Sequence, residues 1–138
     1  GDVYKRQDWG YAKDYVKSMW LMLQNNKPED FVIASGEQHT VREFVELAFS
    51  FISVKIKWIG KGVKEKGIDE KTGKTLIEVD SKYYRPTEVD SLLGDPTKAI
   101  KKLGWDPKET SFKKLVEIMV MSDVKLVENE IRIKQSYE

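Results

Sequence analysis

The stretch AKDYVKSMWLMLQ, Ala12–Gln24, decides how the rest of the fold is interpreted. Its apolar residues recur three and four positions apart, which predicts a helix with a broad buried face. Asn25-Asn26-Lys27-Pro28 then ends the helix. An apolar face this wide needs a large partner surface, and the chain offers no evident one. The residues of that face are Ala12, Tyr15, Val16, Met19, Trp20, Met22 and Leu23.

Downstream of this helix, short strands alternate with a second helix. Phe31–Ala34 reads as a short buried strand. Thr40 and Glu43 form a capping-box pattern, which predicts a helix from Thr40 to about Ile52. Lys55–Ile59 alternates like a half-buried strand. The charged stretch Gly60–Lys74 is predicted to be one long loop, and Leu76–Val79 is the strand that returns from it.

Two further helices complete the pattern. Asp95-Pro96 predicts a helix start, with Asp as N-cap and Pro at the first helical position, and Gly104 is the expected C-cap. The last helix is predicted from Thr110 or Ser111, with a frayed tail beyond about Glu130. The fold class is therefore α/β, or α+β. The strands are too few for a complete doubly wound sheet.

Composition excludes several kinds of partner. Of 138 residues 40% are apolar, and 24 Lys and Arg against 23 Asp and Glu leave a net charge of +1. This balance gives no reason to expect a nucleic-acid or membrane partner, and no apolar run reaches the roughly 18 residues that span a bilayer. The chain has no Cys, which fits a reducing compartment, so we expect a cytoplasmic location.

The first seven residues differ from the rest. Gly1–Gln7 has no initiating Met and no helical or strand period. Its hexapeptide Asp2–Gln7 resembles a translated transposon-adapter end. We therefore expect residues 1–7 to be non-native, residues 8–130 to form one lobe and residues 131–138 to form a tail.

Two glycine-containing motifs do not meet the requirements of a phosphate-binding loop. Gly60-Lys61-Gly62 follows a strand, but the third Gly of a dinucleotide fingerprint would fall on Glu65. Gly73-Lys74-Thr75 resembles the end of a P-loop, but the partner Gly would fall on Ile68. Both are predicted to be turns in the long loop.

Catalytic and metal-binding patterns are also missing. None of the Tyr residues is followed four positions later by Lys, so the acid/base pair of short-chain dehydrogenases is absent. His39 is the only histidine, and we expect a surface turn residue there rather than a catalytic one. Metal binding through one His and scattered carboxylates has no spacing to support it.

The segment Tyr83–Asp90, YYRPTEVD, carries the most specific chemistry. Pro86 stiffens the turn and keeps Arg85 and Glu88 a short distance apart. A guanidinium matches two phosphate oxygens, and a carboxylate accepts from two vicinal hydroxyls. This pair therefore suits a nucleotide-diphosphate sugar. A surface ion pair beside packed Tyr residues fits the spacing equally well.

Seven blocks spread over Asp8 to Glu128 resemble the GDP-mannose 4,6-dehydratase family, part of the extended short-chain dehydrogenase/reductases. The resemblance implies that this chain is the C-terminal nucleotide-sugar-binding lobe of an enzyme, without its Rossmann half. The blocks are Asp8–Val16, Met19–Gln24, Pro28–Ala34, Gly36-Glu37, Val41–Val45, Tyr83–Asp90 and Gly94–Ala99.

The resemblance also assigns residues and ligands. It implies that Arg85 binds the GDP pyrophosphate and that Glu88 binds the ribose. Arg42 is a further candidate: it lies in the first turn of a helix, where the dipole disfavours a cation, so a bound anion or a solvated side chain would explain it. One departure is Gln7, where the family usually has an Arg that contacts the nucleotide.

The implied reaction converts GDP-mannose to GDP-4-keto-6-deoxy-mannose in a homo-oligomer. A bound NADP takes a hydride from the sugar and later returns it. The cofactor and the catalytic residues would lie outside this chain, so this chain contributes no catalytic residue and is expected to be inactive alone. The alternatives are a GDP-4-keto-6-deoxy-mannose reductase or another nucleotide-sugar epimerase or dehydratase, and a non-catalytic nucleotide-sugar-binding module.

Overall fold

A computed structural model of the chain describes residues 5–83 and 91–136. Within these residues the fold is α/β, with four helices and two small antiparallel sheets. β1 and β2 form one sheet, and the other has the order β3-β4-β5. The elements in chain order are β1 (Arg6–Gln7), α1 (Ala12–Leu23), β2 (His39–Thr40), α2 (Val41–Ser50), β3 (Ile56–Ile59), β4 (Lys66–Asp69), β5 (Thr75–Glu78), α3 (Thr97–Leu103) and α4 (Phe112–Gln135).

Side-chain caps set the helix boundaries close to where the sequence predicted them. Thr40 and Glu43 form the predicted capping box: each side chain accepts from the other residue's backbone N–H, at 3.1 and 2.7 Å. α3 starts at Thr97, one residue later than predicted, with Pro96 rather than Asp95 as its N-cap; the Asp95 carboxylate accepts from the Thr97 N–H at 3.0 Å. Gly104 ends α3 with φ of +63°, as predicted for a C-cap. α4 continues to Gln135, past the predicted boundary at Glu130.

Two predicted elements are wrong. Phe31–Ala34 pairs with no strand among the described residues. Gly60–Lys74 is not a single loop, because it contains β4, the central strand of the larger sheet. The cause is visible at Gly67, which lies between Trp58 and Ile77 in the sheet register. A Cβ at position 67 would lie 2.9 Å from the Ile77 side chain, so this position requires Gly. Because Gly has no side chain, the strand lacks the apolar alternation by which strands are predicted.

The two dismissed glycine motifs are turns, as predicted. Gly60 has φ of +80° and leads into the 3₁₀ turn Gly62–Lys64. Gly73 lies in the hairpin turn between β4 and β5, with φ of +72°. Neither turn opens a helix of the kind that a phosphate-binding loop requires.

The carboxylate of Asp8 joins three segments that are far apart in sequence. It accepts from the backbone N–H of Ser35 at 2.8 Å, of Gly36 at 3.0 Å and of Gly94 at 3.4 Å. Gly94 then lies so close to Ala34 that a Cβ on Gly94 would be 2.2 Å from the Ala34 Cβ. These bonds hold the residues that follow Phe31–Ala34 against Asp8 and Gly94.

Trp105 fills the centre of the small core and is 1% exposed. Its indole N–H donates to the backbone oxygen of Asp14 at 2.9 Å, and the Asp14 carboxylate accepts from the Thr110 N–H at 3.1 Å. Asp14 thus fastens α1 to the segment that joins α3 and α4. The other buried apolar residues are Ala34, Ala99, Leu115 and Val116.

Aromatic rings join α2 to α4. The Trp9 ring stacks on Phe112, with centroids 5.7 Å apart, and meets Phe44 at 5.3 Å. Phe44 comes from α2 and Phe112 opens α4, so Trp9 is the contact that both helices share. Asp8 therefore binds the backbone of residues 35, 36 and 94, and the neighbouring Trp9 packs on the side chains of Phe44 and Phe112.

The apolar face of α1 points away from this core. Val16, Met19 and Trp20 are 61%, 59% and 60% exposed, and Leu23 is 82% exposed. The buried positions are polar instead: Asp14 is 7% exposed and Ser18 0%. The sequence predicted a buried apolar face, and within this chain that prediction is wrong for these four side chains. No described helix is long and apolar enough to cross a membrane.

Residues 5–7 take part in backbone pairing. Arg6 and Gln7 pair antiparallel with Thr40 and His39, and the Arg6 oxygen accepts from the Leu92 N–H at 3.2 Å. These contacts use main-chain atoms only. They would form with other side chains at these positions.

We predict that Asp8→Asn loosens the junction around Asp8. The amide would turn an N–H₂ toward donors, leaving one or two backbone N–H groups unpaired at about 1–3 kcal/mol. Hydrogen exchange at Ser35, Gly36 and Gly94 should then be roughly 5- to 150-fold faster. Asp106→Asn is the matched control, because Asp106 is an exposed carboxylate that accepts from the nearby Lys108 N–H at 2.9 Å. Unchanged exchange at the three amides would contradict this role for Asp8.

Candidate functional site

Arg85 and Glu88 lie in residues 84–90, outside the described residues, so their geometry is not part of the site described below. The chain on either side is held in place. Before this segment, the Asp80 carboxylate accepts from the Lys82 N–H at 2.8 Å. After it, Ser91 bridges to Arg6, and the Gln38 amide donates to the Ser91 hydroxyl at 2.7 Å. The described chain thus stops at Tyr83, after β5, and resumes at Ser91, which bridges to Arg6 of β1.

Arg42 is the described member of the predicted set. It is the second residue of α2, and its Nη2 donates to the Glu65 carboxylate, with which it forms an ion pair. Its guanidinium also lies 4.8 Å from the centroid of the Trp58 ring, a cation–π contact. The side chain of Arg42 is 25% exposed, and that of Glu65 is 1% exposed. The sequence offered a bound anion or a solvated side chain; the structure shows an arginine held by a buried carboxylate.

Glu65 is the residue that sequence reasoning missed. It sits between Lys64 and Lys66 in the stretch predicted to be an exposed charged loop, where no pattern marks a buried residue. A carboxylate this deeply buried is tolerated only when it is paired. Arg42 and Glu65 each make further interactions besides this pair. Glu65 therefore fixes where the Arg42 guanidinium lies.

The pair belongs to a larger junction between α2 and the three-stranded sheet. Glu46, one turn after Arg42 on α2, accepts from the Trp58 indole N–H at 2.7 Å. Trp58 is on β3, and Glu65 directly precedes β4. Two side chains of α2 thus reach two parts of the sheet. The junction therefore holds α2 against the three-stranded sheet.

His39 is half-buried in β2, not an exposed turn residue. Its ring lies flat on Phe112, with centroids 3.7 Å apart and planes 6° from parallel. Its two nitrogens are 3.6 Å from the Glu43 carboxylate and 3.8 Å from that of Glu37. A hydrogen bond from Lys108 lowers the pKa of the Glu37 carboxyl. Stacking accounts for the position of the ring, and both carboxylates are beyond hydrogen-bond distance.

Tyr15 and the acidic residues provide no further chemical centre. Burial raises the pKa of the Tyr15 phenol, and the nearby Asp8 and Asp14 carboxylates raise it further. Tyr15 is therefore a protonated phenol at neutral pH, packed edge-on against Trp105 at 5.9 Å. In the part of the chain that the structure describes, no cluster of His, Asp and Glu could hold a metal ion.

Comparison with known proteins gives a consistent set of matches. The sequence profile of a family described as GDP-mannose 4,6 dehydratase matches residues 1–119. The GDP-mannose 4,6 dehydratases of Dictyostelium discoideum and Homo sapiens are each 57% identical to the chain, over 129 and 127 residues. The GDP-mannose 4,6-dehydratase of Sinorhizobium fredii is 48% identical over 124 residues.

The coverage of these matches is unequal. They include 94%, 92% and 90% of this chain, but only 36%, 34% and 35% of the relatives. The chain thus spans about a third of the length of the curated relatives it matches. The high identity also allows residues to be tested in a full-length protein, because the matching part of the Dictyostelium relative can be replaced by this chain. We refer to that protein as the chimaera.

We predict that Arg42→Ala destabilises the chimaera far more than loss of an exposed ion pair does. The substitution removes a partner of a buried carboxylate, at a cost of about 3 kcal/mol. Lys66→Ala is the control, because the Lys66–Glu78 pair lies on the same sheet and both side chains are about half exposed; it should cost less than about 1 kcal/mol. Urea denaturation measures both values. If both variants lowered the free energy of unfolding by similar amounts, the buried Glu65 carboxylate would not need Arg42 as its partner.

Proposed function

The chain belongs to the GDP-mannose 4,6-dehydratase family, and on that premise we propose that it is the nucleotide-sugar-binding part of an enzyme that removes water from GDP-mannose. The observation that carries this proposal is identity of 57% over 94% of the chain with a relative of that name. The product would be GDP-4-keto-6-deoxy-mannose. The relatives' names do not favour the reductase or the non-catalytic module.

The cofactor belongs to the rest of the enzyme in this proposal. The family's NADP takes a hydride from the sugar and returns it, so the reaction has no net redox change. The described residues do not fit a dinucleotide: Gly60 leads into a 3₁₀ turn before β4, and Gly73 closes a hairpin. We therefore assign NADP, and a Rossmann half that binds it, to the two-thirds of the relatives that this chain does not match. A cytoplasmic, homo-oligomeric enzyme is part of the same proposal.

Arg85, Glu88 and Arg42 are the proposed substrate-binding residues. Arg85 would bind the pyrophosphate through a two-pronged guanidinium, and Glu88 would accept from the ribose hydroxyls. Arg42 would share its guanidinium between Glu65 and the ligand. Its position is fixed by Trp58 and Glu65, so little side-chain entropy would be lost on binding.

The exposed face of α1 has a proposed partner in the same enzyme. Val16, Met19, Trp20 and Leu23 follow one another at helical spacing and are all more than half exposed. We propose that the Rossmann half covers them. Each large apolar side chain left in water forgoes roughly 1.5–3 kcal/mol of burial. Together these losses rival the roughly 5–15 kcal/mol that stabilises an ordinary domain.

The proposed function predicts where activity is found. The chimaera should convert GDP-mannose to the 4-keto-6-deoxy sugar. The unaltered Dictyostelium protein, measured beside it, is the reference for the rate. The isolated chain should give no turnover with NADP supplied, because the hydride carrier and the proton-transfer groups lie outside it. Product formation is followed by chromatography of the nucleotide sugars. Turnover by the isolated chain, or a folded chimaera that binds GDP-mannose without converting it, would contradict the proposal.

The proposed role of Arg85 predicts the affinity for GDP. Arg85→Ala in the chimaera should weaken GDP binding by about 1.5–3 kcal/mol, the scale of a hydrogen bond to a charged group. Arg85→Lys should recover part of this loss, since an ammonium cannot present two parallel donors. Titration calorimetry measures all three proteins, with Lys74→Ala as the control at an exposed lysine. An unchanged affinity of Arg85→Ala for GDP would contradict this role and favour the alternative that Arg85 and Glu88 form a surface ion pair.

The exposed α1 face predicts the behaviour of the isolated chain. We expect a marginal protein that aggregates, or a loosely packed state that binds hydrophobic dye. Near-UV circular dichroism during a urea or thermal melt tests this. A monomer with a sharp cooperative transition above about 50 °C, within the usual range for mesophile domains, would show that the lobe folds unaided.

A paired substitution links that behaviour to α1. Met19→Gln with Leu23→Gln should make the isolated chain more soluble, but should destabilise the chimaera. Leu126→Gln with Ile133→Gln is the control, on side chains of α4 that are 57% and 53% exposed. If the α1 pair leaves the chimaera as stable as the α4 pair does, the Rossmann half does not cover this face.

A further inference from the structure

A second apolar surface lies away from α1, in a groove between the end of α2 and the middle of α4. Six apolar side chains line it: Ala48, Phe49 and Ile52 from α2, and Val120, Val124 and Val127 from α4. The three valines recur four and three residues apart, and Ile131 continues the line one turn further. Ile52, Val127 and Ile131 are 45%, 53% and 50% exposed.

The rim of the groove is acidic. Asp123 and Glu128 are the charged residues that line it, and both are exposed. No Lys or Arg lines the groove in the part of the chain that the structure describes. An apolar line with two exposed carboxylates beside it selects among possible occupants.

The charges disfavour two of these occupants. If a second copy packed its own groove here, Asp123 and Glu128 of each copy would flank the same seam, where like charges repel. An anionic lipid surface would meet the same repulsion. Complementarity instead requires an apolar partner with positively charged flanks.

The shape of the groove selects a helix. Two neighbouring helices form its walls, and the α4 residues along it repeat with the spacing of a helix seam. An amphipathic helix that lays its apolar face between two helices is a common mode of peptide recognition. We propose that this groove binds an amphipathic helix of a separate protein, whose apolar stripe is flanked by Lys and Arg. This goes beyond the proposed function and does not depend on it.

Two designed peptides probe this surface in the chimaera. Each has about 18 residues, or five helical turns, with Leu along one face; one carries Lys on both flanks and the other Glu. The Lys peptide should bind at least about tenfold more tightly than the Glu peptide at low salt. Added salt should reduce this preference, since exposed charges are screened. Fluorescence anisotropy of labelled peptides measures both affinities.

Substitutions in the chimaera localise the binding. Asp123→Lys with Glu128→Lys should reverse the preference between the peptides. Glu70→Lys with Glu78→Lys makes the same change of net charge on exposed positions near and on the three-stranded sheet, and should leave the preference unchanged. Val124→Asp should weaken the Lys peptide at least about tenfold. Leu126→Asp, outside the groove lining, is its control.

Several outcomes would overturn the proposal. Equal affinity for both peptides, or binding that Val124→Asp does not weaken, would show that the groove is not the site. Binding to the isolated chain but not to the chimaera would show that the rest of the enzyme fills it. Self-association that Val124→Asp abolishes would make a second copy the occupant. If Val124→Asp does not fold, as circular dichroism would show, the charge-reversed pair at exposed positions still decides.

Discussion

The carboxylate of Asp8 is the contact on which the rest of the lobe depends. It binds backbone donors at Ser35, Gly36 and Gly94, so one side chain brings together residues up to 86 positions apart in sequence. The neighbouring Trp9 stacks on Phe112 and meets Phe44, which joins α4 to α2. Asp14, in the first turn of α1, completes the set through Trp105 and Thr110. Only five apolar residues are buried among those that the structure describes, so these hydrogen bonds supply the long-range order that burial alone does not.

Local features of the fold were predictable from the sequence because their causes are local. The capping box at Thr40, the αL glycine at Gly104 and the helical period of α1 each involve residues within a few positions of one another. The errors have non-local causes. Phe31–Ala34 has the composition of a strand, but a strand needs a partner strand, and no described strand pairs with it. β4 has almost no apolar signal, because Gly67 must fit between large neighbours on both adjacent strands.

The candidate site divides in the same way. The roles of Arg85 and Glu88 could be proposed from the sequence because guanidinium and carboxylate have defined partners, and they stay predictions because both residues lie outside the described ones. The position of Arg42 could not be predicted, because it depends on Glu65, which lies 23 positions away between two lysines. A single sequence gives no signal for a buried carboxylate whose partner comes from another element. The inverted polarity of α1 was hidden for a related reason: a helix wheel shows which face is apolar but not whether this chain or another one covers it.

The hairpin tip between β4 and β5 has a different consequence. The Asp69 N–H donates to the Lys74 oxygen at 2.9 Å and the Gly73 N–H to the Asp69 oxygen at 2.8 Å, so the tip is closed by its own hydrogen bonds. Nothing lies within 4 Å of where a Gly73 Cβ would be. Extra residues there would extend into solvent, and doubling the length of such a loop costs only about 0.6 kcal/mol. Sequence length is therefore free to drift at this tip during evolution, and an epitope or fluorophore inserted there would report on the lobe without entering its core.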